Sequence, residues 1–349
     1  MPPPPELGAE LAALIEAEGP IPIERFMAAA NGHYYATRDA IGAAGDFITA
    51  PEVSQMFGEI VGLALADTWQ RAGAPADAVL VELGPGHGTL ADDILRAMKV
   101  AGLTPPVHFI ETSPLLRERQ RELLPDAVWH DTIQTLPIDR PLLIVANEFF
   151  DALPVRQLIN SLSGWCVRVV RNGMDGFEAA PGAPVALGEI PPHLRHADPG
   201  GVIEACPMAR GLMRALARRL HDQGGVLLVI DYGYEGGAHG DTLQAIHAHA
   251  YADPFARPGR SDLTAHVDFG ALAATARAAG THVAGPVEQG QWLVELGLAN
   301  RAAMLTRNAA GRAGEIGEAY RRLTHPDEMG QLFKVLAVTG KRWAEPGGF

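Results

Sequence analysis

From Val79 onward the chain alternates short apolar runs with stretches of helical periodicity, and this alternation limits the possible folds more than any other feature of the sequence. The runs are VLVELG at 79–84, VHFIET at 107–112, AVWHDT at 127–132, PLLIVANEF at 141–149 and VLLVID at 226–231. A strand that is apolar at consecutive positions buries both faces, as strands do inside a parallel sheet covered by helices on each side. Leu90, Ile94 and Met98 mark one intervening helix. Ser113 caps and Pro114 opens another, and Met208, Leu212, Leu216 and Leu220 mark a third that stops at Gly224-Gly225. The predicted class is α/β, doubly wound and mostly parallel, with FKVLAVTG at 333–340 as a last strand.

The flanks of this pattern read differently. Leu7, Leu11, Leu14 and Ile15 fall at helical spacing until Gly19-Pro20, after which Pro22 is expected to open a short second helix that ends at Asn31-Gly32. Phe57, Val61, Leu65 and Trp69 recur every four positions and predict a longer amphipathic helix. Residues 1–75 are therefore expected to form a helical cap and residues 76–349 the sheet domain. The rhythm breaks at about 154–203, where RQLINSL and GWCVRVVRNG predict an inserted β-hairpin followed by a Pro/Gly-rich connector. A helix is predicted to begin near Asp268, which either helps position substrate or caps the helix.

Charge and cysteine usage narrow the function. The 28 Lys and Arg against 41 Asp and Glu give a net charge of −13, which repels polyanions and argues against nucleic-acid or anionic-membrane partners. No apolar run approaches the roughly 18 residues of a membrane span, so no membrane insertion is expected. No Lys or Arg precedes Arg25, so the opening reads as neither a signal nor a transit peptide. Cys166 and Cys206 stand apart without CxxC spacing, which suits a reducing compartment, and the expected location is cytoplasmic. His33, His87 and His108 lack partners at metal spacing, and no metal is expected.

The chemistry concentrates at Glu82-Leu83-Gly84-Pro85-Gly86-His87-Gly88-Thr89, where the first predicted strand passes into a helix. Alternate glycines let the backbone approach a ligand closely, and the helix start offers free N–H groups. A dinucleotide fingerprint would place a third glycine where Thr89 stands, so an NAD-dependent oxidoreductase is the weaker reading. The GxGxG form with an acid two residues upstream resembles motif I of class I S-adenosylmethionine methyltransferases. In that arrangement Glu82 helps hold the methionine end while Gly84, Gly86, Gly88 and Thr89 make room for it. Glu111, 29 residues after Glu82 and at the end of the second strand, can accept both ribose hydroxyls; Asp131, ending the third, can reach the adenine amino group.

A wider resemblance follows from GDFITAPEVSQMFGE, ELGPGHGTL, FIETSPLLRERQ, NEFFDALPVRQ, IDYGY and DLTAHVDF, in this order. They resemble the MidA family, which comprises the mitochondrial complex I assembly-factor methyltransferases and their bacterial relatives. The resemblance covers roughly Gly32 to the end of the chain. It implies a seven-stranded methyltransferase fold, S-adenosylmethionine as cofactor, a protein substrate and, in the mitochondrial members, symmetric dimethylation of an arginine on a complex I subunit.

Arginine methylation needs carboxylates that align the guanidinium. Glu148 and Asp151, three apart in NEFFDALP, are the candidates, with Asn147 contacting the methionine end or the substrate backbone. Against these roles, Asp151 can instead cap the turn before Pro154 and Asn147 can satisfy a strand-end amide. Thr49 and Ser54 are expected to reach the cofactor from a loop that closes over it, hinged at Gly42 and Gly45, although Thr49 before Pro51 also reads as a helix cap. Tyr232, Tyr234 and His266 are candidates for the substrate channel. A non-catalytic, cofactor-binding assembly factor for a respiratory complex remains the alternative to an enzyme.

Overall fold

The computed structural model describes residues 6–37, 49–237, 239–247 and 250–349; Gly42 and Gly45 lie outside them. Seven strands build the central sheet: β1 (Val79–Leu83), β2 (Val107–Ile110), β3 (Val128–His130), β4 (Leu142–Asn147), β5 (Gly225–Tyr234), β6 (His282–Glu288) and β7 (Phe333–Thr339). Their order is β3-β2-β1-β4-β5-β7-β6. Strand β7 runs antiparallel to both neighbours, and every other adjacent pair is parallel. A two-residue segment, Val267–Asp268, adds in parallel beside the end of β5.

This is the mostly parallel seven-stranded sheet that the motifs imply, and six of its strands are the runs read from the sequence. Strand β6 escapes that reading because Gly285 and Pro286 interrupt its apolar alternation. Its register shifts between Ala284 and Val287, the kind of bulge at which an edge strand accommodates a proline.

Side chains along the strands alternate between two layers. Val79, Val81, Leu142, Ile144, Leu227 and Val229 pack under the helices Pro207–Gln223 and Phe269–Ala278. Leu80, Leu143, Val145, Val226 and Leu228 face the helices Gln55–Arg71 and Thr89–Val100 and the helical C-terminal region. Gln55–Arg71 and Thr89–Val100 lie unusually close. A Cβ at Gly58 would come within 2.5 Å of Asp93 Cβ, and one at Gly62 within 2.7 Å of the Ile94 carbonyl. That close packing delivers the residues just before Gln55 to the N-terminal end of Thr89–Val100.

Three sequence expectations change. The helix that begins at Ile23 runs to Thr37 instead of stopping at Asn31-Gly32. Asn31 is buried inside it, donating from Nδ2 to the Ala152 and Leu263 carbonyls and accepting at Oδ1 from the Leu263 amide. Three tertiary hydrogen bonds thus outweigh the turn preference of Asn-Gly. Pro22 does not open this helix; it lies in a two-residue strand, Ile21–Pro22, paired with Val169 and Val170.

That pairing joins the N-terminal residues to a second, antiparallel sheet. It contains Arg156–Ser161 and Gly164–Asn172, the predicted hairpin, together with Val202–Ala205 and Phe177–Pro184. Phe177–Pro184, part of the expected connector, is a strand instead; its backbone pairs with Gly164–Asn172 despite two prolines, as an edge strand allows. Leu11, Ile15, Phe26 and Met27 pack against this second sheet through Val155 and Val170. Among the described residues, no helix is long and apolar enough to cross a membrane.

Candidate active site

The carboxyl ends of β1, β2, β4 and β5 meet where a parallel sheet of this kind binds ligands. After β1 the chain turns through Gly84 (φ 62°) and Gly86 (φ 55°), left-handed positions that favour glycine. A Cβ on Gly84 would also come within 2.8 Å of the Phe149 ring. The turn opens onto a half-enclosed cleft. Glu82, Gly84, Gly86, His87 and Thr89 line one side of the cleft, Asn147 and Glu148 at the end of β4 another, and Thr49, Pro51 and Glu52 a third.

Seven of the residues singled out from the sequence therefore share one space: Glu82, Gly84, Gly86, Thr89, Thr49, Asn147 and Glu148. Gly88 lies immediately below, as the left-handed N-cap of Thr89–Val100. Glu111 ends β2 close by. Its Oε1 accepts from the Thr112 and Ser113 amides, both at 2.7 Å, and its Oε2 faces Gln120 Nε2 at 3.4 Å. The same Gln120 nitrogen donates to the Gly86 carbonyl at 2.7 Å, so one buried side chain ties the glycine turn to Glu111.

Asp131 and Ser54 do not line the cleft. Asp131 is 79 % exposed and bound to Arg117, whose guanidinium also donates to the Glu111 carbonyl. Ser54 does not line the cleft; its hydroxyl accepts from the Met56 amide at 3.2 Å and caps Gln55–Arg71. Thr49 precedes the helical turn Ala50–Val53 but makes no side-chain cap, which leaves its hydroxyl to the cleft.

Glu148 is the strained residue of the site. Its φ is 49°, a left-handed conformation that costs a residue with a Cβ about 1–2 kcal/mol and recurs at functional sites. Its Oε1 accepts from the Ala50 amide at 3.0 Å and from Asn147 Nδ2 at 3.2 Å. Burial pushes its carboxyl up to about 7, with the nearby Asp151 charge adding to the rise.

Asp151 is buried behind it. The Tyr232 hydroxyl donates to its Oδ2, Oδ1 has no hydrogen-bond partner, and burial raises its carboxyl to about 6. The turn between these two acids is held by Asp231 at the end of β5. Its Oδ2 accepts from three consecutive amides, Phe149 at 3.2 Å, Phe150 at 3.0 Å and Asp151 at 3.2 Å, and Oδ1 accepts from Tyr232 N at 2.9 Å. The Tyr232 ring meets His266 edge to face at 5.5 Å, and Tyr234 is half-buried one step further along β5. Asp151, Tyr232, Tyr234 and His266 thus lie outside the cleft, with Asp151 and the first of these tyrosines backing Glu148.

Sequence reasoning missed Asp231, Gln120 and Arg117 as organisers of the site. The signal available for Asp231 was its place near the end of a buried strand; for Gln120 it was an uncharged polar residue on the inner face of an otherwise charged helix, and for Arg117 there was none.

The cleft suits a cationic nucleoside. Glu82 is buried, its Oε2 has no hydrogen-bond partner, and desolvation pushes its carboxyl well up against the pull of the Ala91 amide. Asn147 Oδ1 is likewise buried without a partner. These acceptors, the two glycines and the acid ending β2 fit S-adenosylmethionine, whose sulfonium and ammonium need anionic partners and whose ribose offers two hydroxyls.

Comparison with known proteins agrees with this chemistry. A family model for S-adenosyl-L-methionine-dependent methyltransferases matches residues 60–287. The Drosophila melanogaster protein arginine methyltransferase NDUFAF7 homolog, mitochondrial, is 35 % identical, over 95 % of this chain and 84 % of that one. Human mitochondrial protein arginine methyltransferase NDUFAF7 is 32 % identical, over 93 % and 81 %. A Burkholderia thailandensis protein crystallised with S-adenosyl-homocysteine superposes with a TM-score of 0.86 at 29 % identity, covering 98 % of this chain and 94 % of that one. The dinucleotide oxidoreductase reading is set aside.

Proposed function

The chain belongs to the family of S-adenosyl-L-methionine-dependent methyltransferases, and from that premise we propose that its acceptor is an arginine side chain of a protein. The observation that carries this reading is Glu148, a buried carboxyl raised to about 7 and held in a strained backbone at the end of β4. The names of the relatives described above support the same acceptor.

The cofactor, when bound, supplies an electrophilic methyl group on a sulfonium. Glu148 has Oε1 committed to the Ala50 amide and Asn147, which leaves Oε2 to hold a guanidinium N–H. A carboxylate there concentrates the positive charge away from one nitrogen and leaves that nitrogen nucleophilic. Glu148 Oε2, whose raised affinity for protons suits it to the task near neutral pH, would take the proton that the nitrogen gives up on methylation. Asp151 assists through its charge, with Tyr232 fixing its orientation.

The finer reading rests on the MidA resemblance: a bacterial-type member located in the cytoplasm, symmetrically dimethylating a subunit of respiratory complex I. Labelled cofactor added to host lysate, followed by mass spectrometry of the labelled band, tests it. Label on a protein arginine is the expected result; label on lysine, on a small molecule or on nothing rejects it. Glu148→Gln should lower transfer at least about tenfold, some 1.4 kcal/mol in the barrier, with affinity for S-adenosylhomocysteine nearly intact. Undiminished transfer would reassign Glu148 to structure.

A further inference from the structure

We propose that Glu52 binds the α-ammonium group at the methionine end of the cofactor, so that the segment preceding the central sheet supplies one wall of the cofactor site. Glu52 lies in the helical turn Ala50–Val53, which the close pairing of Gln55–Arg71 with Thr89–Val100 brings against the glycine turn. Its side chain lines the same cleft as Glu82, Gly86 and Thr89.

Only one of its oxygens is engaged. Oε1 accepts from Thr89 Oγ1 at 2.9 Å and lies 3.7 Å from His87 Nδ1, whereas among the described residues Oε2 takes no hydrogen bond. Three carboxyl groups, those of Glu52, Glu82 and Glu148, face this space, and among the described residues no Lys or Arg lines it. Glu82 points independently to a cation, since it is 3 % exposed and its Oε2 is unpartnered. The cofactor carries two positive groups. Glu148 stands at the end of β4, on the acceptor side, and Glu52 and Glu82 stand beside the glycine turn, where the amino-acid portion belongs.

The competing account makes Glu52 a prop for Thr89, and an isosteric change separates the two. In Glu52→Gln the amide oxygen still accepts from Thr89, so the prop survives while the charge is lost. Calorimetry on the full chain should compare S-adenosylhomocysteine, its analogue lacking the α-amino group, and 5′-methylthioadenosine, which lacks the amino-acid portion. The expected result is at least a tenfold loss of S-adenosylhomocysteine affinity in Glu52→Gln, with the other two ligands within about twofold of wild type. Retained binding of 5′-methylthioadenosine also shows that the variant is folded. Unchanged S-adenosylhomocysteine affinity, or an equal loss for all three ligands, overturns the proposal. The cofactor reading itself would fail separately, if wild type bound none of them.

Discussion

Glu148 Oε1 accepts a hydrogen bond from the backbone amide of Ala50, 98 residues earlier in the chain. An amide from outside the sheet thereby orients the acid that we assign to the acceptor. It also opposes the effect of burial, because a donor favours the charged carboxylate while desolvation disfavours it. Burial prevails, and the carboxyl sits at about 7.

A pH dependence follows from that balance. The folded protein holds the Glu148 proton more tightly than the unfolded chain, whose carboxyl has its ordinary value of 4.5. There is no penalty while both forms are protonated; it grows as pH rises from about 4.5 to about 7 and is complete above. Glu148→Gln should therefore gain stability over wild type by roughly 2–4 kcal/mol more at pH 8 than at pH 4, measured by urea unfolding. A difference that does not change with pH would show that Glu148 keeps an ordinary carboxyl. In activity the sign is reversed, since transfer needs the deprotonated form: the rate should fall below about pH 7, at a lower midpoint once the cofactor's cation is bound.

Gly86→Val should abolish cofactor binding. A β-branched residue resists the left-handed backbone at this position, and its side chain enters the cleft. Calorimetry should register a loss of at least about a hundredfold for S-adenosylhomocysteine, roughly 2.7 kcal/mol. Wild-type affinity in a folded variant would move the ligand away from this turn.

Asp231→Asn tests the support beneath the acceptor acid. The substitution leaves one carbonyl oxygen for the amides of Phe149, Phe150 and Asp151 and turns an NH₂ toward the Tyr232 amide, which needs an acceptor. Amide exchange across 149–151 should accelerate, and transfer should drop about tenfold while S-adenosylhomocysteine affinity changes less. Unaltered protection of those amides would mean that the turn is held by other contacts.

Asn31→Ala should cost about 3 kcal/mol in unfolding free energy, because the Leu263 amide and carbonyl lose a buried partner together. Asn31→Asp should cost no less, since a carboxylate cannot donate to the two carbonyls that Nδ2 serves. A loss below about 1 kcal/mol in both would leave the long second helix without this explanation.

The parts of the site that could be read from the sequence share one property. Glu82, Glu111 and Glu148 each end an apolar run, and where a parallel strand ends is where its ligand-facing residues begin. Asp131 ends β3 as anticipated and pairs with Arg117, which also binds the Glu111 carbonyl. Ser54 had the right neighbourhood, and its hydroxyl is spent on a helix start. Gln120 and Asp231 act by bridging segments far apart in sequence, and such contacts leave no periodic trace. The same is true of Asn31, where local turn preference pointed one way and tertiary hydrogen bonds the other.

Strand β7 lies between β5 and β6 although it follows both in the chain. During synthesis β5 and β6 therefore emerge with facing edges unpaired, and each carries an open row of backbone donors and acceptors until Phe333–Thr339 arrives. The central sheet can close only after its last strand has been made, so a chain cut short before Phe333 leaves two open edges inside one sheet.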